Sequence, residues 1–123
     1  MGCENIIKIF FHMSTNIKLY HWQTTSYAQH KATDDLLTSI LPLIDTFIEV
    51  YMGRYQRPKF SNDFNILVEE LTTDSLIRLI NEYISFLKKD VPTYLKSSDT
   101  DILNIRDEML ANFNKTLYLL TLN

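Results

Sequence analysis

The chain has 123 residues, 46% of them apolar and 22% charged, with a net charge of −3, which describes one globular domain with a real core. Two glycines and three prolines argue against a many-turn β architecture and against disordered linkers. Tight binding to nucleic-acid phosphates rests on Lys and Arg contacts, and no Lys/Arg cluster occurs here.

No apolar run approaches the roughly 20 residues of a membrane span. The N-terminal stretch MGCENIIKIFFHMST has neither the basic region nor the small-residue cleavage site of a secretory signal. Gly2-Cys3 lacks the Ser/Thr expected at the sixth position of an acylation motif. A single cysteine, Cys3, makes no internal disulfide and has no evident base partner for nucleophilic work. These features point to a cytoplasmic protein without a membrane or nucleic-acid partner.

The first predicted helix runs from about Asn5 to Gln23. Ile6, Phe10, Met13, Ile17 and Tyr20 follow a 4-3-4-3 spacing and make one apolar stripe. His21 lies one turn beyond Ile17 and points inward; His12 is half a wheel away and cannot share its site. Thr24-Thr25-Ser26 breaks the pattern, and Ser26 with Gln29 reads as a capping box opening a second helix that continues to Gly53, read as its stop. Pro42 lies inside that helix, where proline removes a backbone hydrogen bond at a cost near ~3 kcal/mol. The apolar pattern keeps its phase across Pro42, so one helix is expected.

Residues 56–63 read as a long crossing connection, and Phe64–Leu71 as a possible short helix lying across the bundle. A third helix is expected over Asp74 to about Lys89, ended or bent by Pro92. Ser97-Ser98-Asp99-Thr100 supplies N-cap candidates for a fourth over Asp101–Leu120. Four long helices with a connection between the second and third long enough to cross over describe an all-α, ferritin-like four-helix bundle in a single domain.

Chemistry-bearing residues concentrate between Leu19 and Met52. His30 and Asp34 are one turn apart on one helix face, as are Asp45 and Glu49. These four span an arc of roughly 100° on the shoulder of the apolar stripe made by Leu36, Leu37, Ile40, Ile44, Phe47, Ile48 and Tyr51. The midpoints of the two pairs are fifteen positions apart in the sequence, roughly 22 Å of straight helix. Metal–ligand bonds are only about 2.0–2.2 Å long, so one copy cannot close all five groups, His21 included, on one metal site. Two antiparallel copies about a two-fold axis can, and an isologous interface makes such a site twice.

His-Trp-Gln near the end of the first helix, then His-x3-Asp-x10-Asp-x3-Glu on the second, resembles the Dps group, the mini-ferritins known as DNA-binding proteins from starved cells. The resemblance is specific over roughly Lys18 to Glu49; beyond Gly53 only the helix pattern agrees. It implies that His21, His30 and Asp34 of one subunit meet Asp45 and Glu49 of its two-fold mate. It also implies oxidation of Fe(II) by hydrogen peroxide or oxygen, for iron detoxification or storage. Imidazole and carboxylate ligands suit iron but also zinc or manganese. Trp22 reads first as a packing residue; the resemblance places it near the metal, where it could intercept an oxidising equivalent. The homodimer is the minimum unit, and the family commonly builds a twelve-subunit shell. Here the connection between the first two helices is short, the second helix carries a proline, and no basic terminal extension for DNA is present.

Other readings stand beside this one. A non-catalytic helical dimer acting as a structural or interaction protein would keep the bundle without turnover, and a nucleoid-binding role is disfavoured by the acidic balance. The Glu-x-x-His motif of ferritin-type di-iron bundles does not occur. Asp99-Thr-Asp101 starts like a calcium loop, but Leu103 and Asn104 replace a ligand and the glycine.

Overall fold

The computed structural model describes residues 3–122; Gly2 of the acylation reading lies outside them. The described residues form four α-helices and no strand: α1 (Glu4–Gln23), α2 (Tyr27–Arg54), α3 (Thr73–Ser85) and α4 (Thr100–Leu119). The apolar stripes read from the sequence make the core, with Phe10, Phe47, Phe113, Ile6, Met13 and Ile17 among the fully buried side chains.

Neighbour relations set the topology. α2 packs on α1 and α4, and α3 packs on α4 and α1, so the ring order is α1-α2-α4-α3. His12 meets Tyr83 and Tyr20 meets Thr73, which makes α1 and α3 antiparallel. Arg54 at the end of α2 pairs with Asp101 at the start of α4, 2.7 Å away, which makes α2 and α4 antiparallel. α2 and α3 are therefore parallel and diagonal, and the chain between them must travel the length of the helices. An extended chain covers about 3.3 Å per residue against 1.5 Å in a helix, so residues 55–72 have ample reach.

That connection is an irregular strap with no helix in it, contrary to the expectation of a short helix over Phe64–Leu71. The buried Asn16 explains the difference. Its amide nitrogen donates to the Leu67 carbonyl at 3.0 Å, and its oxygen accepts from the Glu69 amide at 2.8 Å. Backbone groups that a helix would pair internally are bound to α1 instead. The strap begins its run along α1 where the Lys59 amide donates to Glu4, at 3.0 Å.

α2 is one helix across Pro42, as its unbroken pattern predicts. Thr38, whose carbonyl loses its partner to the proline, is exposed, so water can satisfy it. Gly53 does not stop α2: it is helical, without a positive φ, and the cap is Tyr55. Among the described residues α2 is also long and apolar enough to cross a membrane, although only 33% of its most apolar window is buried in the chain. Counting uninterrupted apolar runs missed this because Asp45 and Glu49 break the run.

α3 gives way at Phe86 to a wider turn in which the Val91 amide bonds to Phe86, then to a 3-10 turn carrying Pro92. Pro92 has no N–H for the Leu87 carbonyl, and Arg106 of α4 donates to it at 3.1 Å. The start of α4 is held differently from the predicted cap. Asp99 is buried and makes no cap bond to its own helix. It accepts from the Tyr55 hydroxyl and from the Lys96 amide, and pairs with Arg54 at 3.2 Å. Asp99 and Asp101 are thus committed to Arg54, not arranged as a calcium loop.

Two outcomes follow for stability. Asn16→Ala strands backbone groups of the strap, at about 1–3 kcal/mol for each group left unpaired; urea unfolding should register the loss, and hydrogen exchange at the Glu69 amide should accelerate. The Tyr55 hydroxyl and then the Lys96 amide hold the Asp99 carboxyl below its ordinary range. A depressed carboxylate pKa contributes stability above the unfolded value of about 3.9, and that contribution is lost as pH falls through the folded value. Asp99→Asn should therefore be less stable than the parent near neutral pH in thermal melts, with the gap closing in acid.

Candidate functional site

Two histidines meet because the α1–α2 turn is short and locked. The Thr24 amide closes α1 on the Tyr20 carbonyl at 2.9 Å, and the Ser26 hydroxyl accepts from the Gln29 amide at 3.3 Å, opening α2. Only this half of the predicted capping box forms. The Gln29 side chain instead accepts from the Tyr20 hydroxyl and from Thr73, the latter at 3.2 Å. One amide thereby ties together the adjoining ends of α1, α2 and α3.

Within this clamp the rings of His21 and His30 stack, with centroids 3.9 Å apart and planes 18° from parallel. Each is bonded to the other's backbone: His21 Nδ1 to the His30 carbonyl at 2.8 Å, and His30 Nδ1 to the His21 carbonyl at 2.9 Å. The His21 carbonyl belongs to the last turn of α1, where carbonyls lack a helical partner, so His30 satisfies it. A carbonyl accepts and cannot donate, so both rings carry a proton on Nδ1, and the neutral ring then presents a bare Nε2, the form in which histidine ligates metals. The buried Thr33 hydroxyl donates to the Gln29 carbonyl at 2.8 Å and lies 3.2 Å from His21 Nδ1.

The two Nε2 lone pairs lie in nearly parallel planes. They cannot converge on one ion at the roughly 2.0–2.1 Å of an imidazole–metal bond. Each ring can serve an ion of its own.

The acids fall where helical spacing puts them. Asp34 is half-buried, and Asp45 and Glu49 are exposed. With Thr38 and Leu41 they form one outward stripe of α2, at 4-3-4-4 spacing. None of the three carboxylates has a hydrogen bond or ion pair among the described residues. Asp45 and Glu49 stand at a cavity of about 300 Å³ walled by Ile7, Phe10, Phe11, Ile44, Ile48, Met52 and Phe60. Among the described residues no group of three or more His, Cys, Asp or Glu side chains is placed to hold a metal ion. A single copy brings His21 and His30 together and leaves Asp45 and Glu49 far along α2.

Trp22 is 65% exposed and carries Lys18 Nζ 5.3 Å from its ring centre. It is not the core-packing residue that the sequence suggested, because α1 turns it away from the bundle. Cys3 is buried, and burial, then the Glu4 charge, pushes its thiol pKa up, against nucleophilic use. His12, set aside in the sequence, contacts Tyr83 and the strap residue Glu69. No spacing rule could reveal that cluster, since its three members come from three separate segments.

Over residues 21–120 the chain matches a family described as a family of unknown function (DUF5856), and it belongs to that family. It is 32% identical over 124 residues to an uncharacterised 14.6 kDa protein of the mobD-ri intergenic region of Enterobacteria phage T4, a match covering 99% of this chain and 85% of that protein. No solved structure matches it. The matched family span begins at His21 and contains all five candidate ligands.

Long-range 1H–15N correlation spectra of the metal-free protein at neutral pH should show both His21 and His30 protonated on Nδ1. An Nε2–H pattern for either ring would contradict the carbonyl bonds described.

Proposed function

We propose that this family member is a Dps-like mini-ferritin, with Fe(II) as substrate bound between two copies and oxidised by hydrogen peroxide or oxygen. The carrying observation is the stacked His21–His30 pair, whose two Nε2 atoms are kept bare by backbone carbonyls. The unpaired acids on the outer stripe of α2 supply the other half. In an antiparallel pair of α2 helices crossing near Ser39–Ile40, Asp45 and Glu49 of each copy reach the histidines of the other. An isologous contact then yields two equivalent sites. Each ring can take an ion of its own, and paired metals are a recurring catalytic arrangement.

The fold supports the same reading. Ring order α1-α2-α4-α3 with a crossing strap is compatible with a ferritin-like bundle, which carries one long crossover. The excess apolar surface of α2, together with Leu41, Phe11 and Phe60 exposed, gives a second copy something to cover.

A second reading, a non-catalytic helical dimer, is favoured by the ring stack itself, which satisfies the end of α1 without any ion. Anaerobic Fe(II) titration followed by peroxide separates the two. Stoichiometric binding and rapid peroxide consumption are expected. Asp45→Ala or Glu49→Ala should weaken binding at least as much as the roughly 10–100-fold that loss of an outer-shell partner costs. Iron-independent behaviour in a stable dimer would replace this reading with the scaffold.

A further inference from the structure

A second cluster lies under the strap, on the opposite side of α1 from the stacked pair. Tyr83 of α3 is buried, at 3% exposure, with its hydroxyl 2.7 Å from His12 Nδ1. His12 Nε2 lies 3.1 Å from the carboxylate of Glu69 on the strap. Glu69 is itself held in register by Asn16 and faces Arg78, whose guanidinium is 3.8 Å away. The carboxylate can only accept, so His12 carries a proton on Nε2; in the neutral ring Nδ1 is then the base facing the Tyr83 hydroxyl, at a shorter distance than the His12 backbone carbonyl, the hydroxyl's other acceptor at 3.3 Å. Donor, base and counter-charge stand in line: phenol, imidazole, carboxylate.

Burial, reinforced by the Glu69 and Glu82 charges, pushes the Tyr83 hydroxyl above its ordinary range. The phenol does not ionise to water at neutral pH. Removing an electron from it requires somewhere nearby for the proton to go, and His12 is that place.

We propose that Tyr83 and His12 form a proton-coupled redox pair, with Tyr83 as a one-electron donor inside the bundle. A one-electron oxidant takes an electron from the Tyr83 ring. The O–H bond breaks, an N–H bond forms at His12 Nδ1, and the products are a neutral tyrosyl radical and an imidazolium paired with Glu69. One electron returned by a reductant such as Fe(II) reverses both transfers. In the ferroxidase reading, on which this role rests, the oxidant is the one-electron equivalent left when peroxide meets a single Fe(II). His12 and His21 are nine positions apart on α1, about 14 Å along the helix.

The redox chemistry is testable without iron. Metal-free full-length protein is oxidised with a photo-generated one-electron oxidant, a ruthenium polypyridyl complex with persulfate, and frozen for electron paramagnetic resonance. The expected result is a tyrosyl signal that outlives those of the exposed tyrosines. It should be lost in Tyr83→Phe, which keeps the ring and its packing, and in His12→Gln, which removes the base but leaves the phenol. Circular dichroism and elution volume show whether each variant keeps the parental fold. A persistent signal unchanged in Tyr83→Phe, or no persistent signal in the parent, overturns the proposal. A Tyr83 signal with the photo-oxidant but not with Fe(II) and peroxide upholds the pair and counts against the iron reading alone.

Discussion

α2 and α3 run in the same direction on one diagonal, and that constraint governs most of the molecule. Helices joined by a tight turn are antiparallel neighbours; a parallel, diagonal pair obliges the chain to return along the whole length of the helices. The return path costs backbone entropy and exposes polar groups that need partners. Asn16 meets both demands from within α1, and it does so while buried among Met13, Ile17 and the rest of the stripe. With the strap seated, Glu69 reaches His12, α3 is brought against α1, and the outer stripe of α2 remains uncovered.

The division of chemistry along α2 follows from length. Its histidine end is built into the single chain: the short α1–α2 turn stacks His21 on His30, and exchange of carbonyl bonds defines both rings' tautomers. Its acidic end is left without partners among the described residues, beside an apolar cavity. Leaving paired carboxylates next to apolar surface is unfavourable unless something compensates. In the proposed assembly the compensation is a cation on each of the mate's imidazoles, and the apolar cavity wall is covered in the same step. Metal binding and association would then be one event.

Periodicity and spacing determined a large share of this protein. The stripes of α1, α2, α3 and α4 were legible because burial of an apolar face imposes a 3.6-residue period, and it did so even across Pro42, whose freed carbonyl partner faces solvent. The one-turn offset of Asp45 from Glu49 on the outward stripe of α2 follows from the same period. The separation of these acids from His30 and Asp34 was legible too, since helix rise is a constant. Ser26 was legible as a cap, because a short side-chain oxygen before a helix has one common use.

Tertiary structure decided what local rules cannot reach. The strap segment 64–71 carries helix-compatible residues, yet stays irregular because Asn16, far away in sequence, claims its backbone groups. Gly53 looked like a stop, but α2 runs one residue past it to Arg54, which pairs with Asp99 and Asp101. Trp22 appeared to be a packing residue until the rotation of α1 turned it to solvent. The tautomers of His21 and His30, and the line from Tyr83 through His12 to Glu69, depend on which carbonyl or carboxylate lies within hydrogen-bond distance. That is a property of chain segments meeting in space, and no spacing along one helix encodes it.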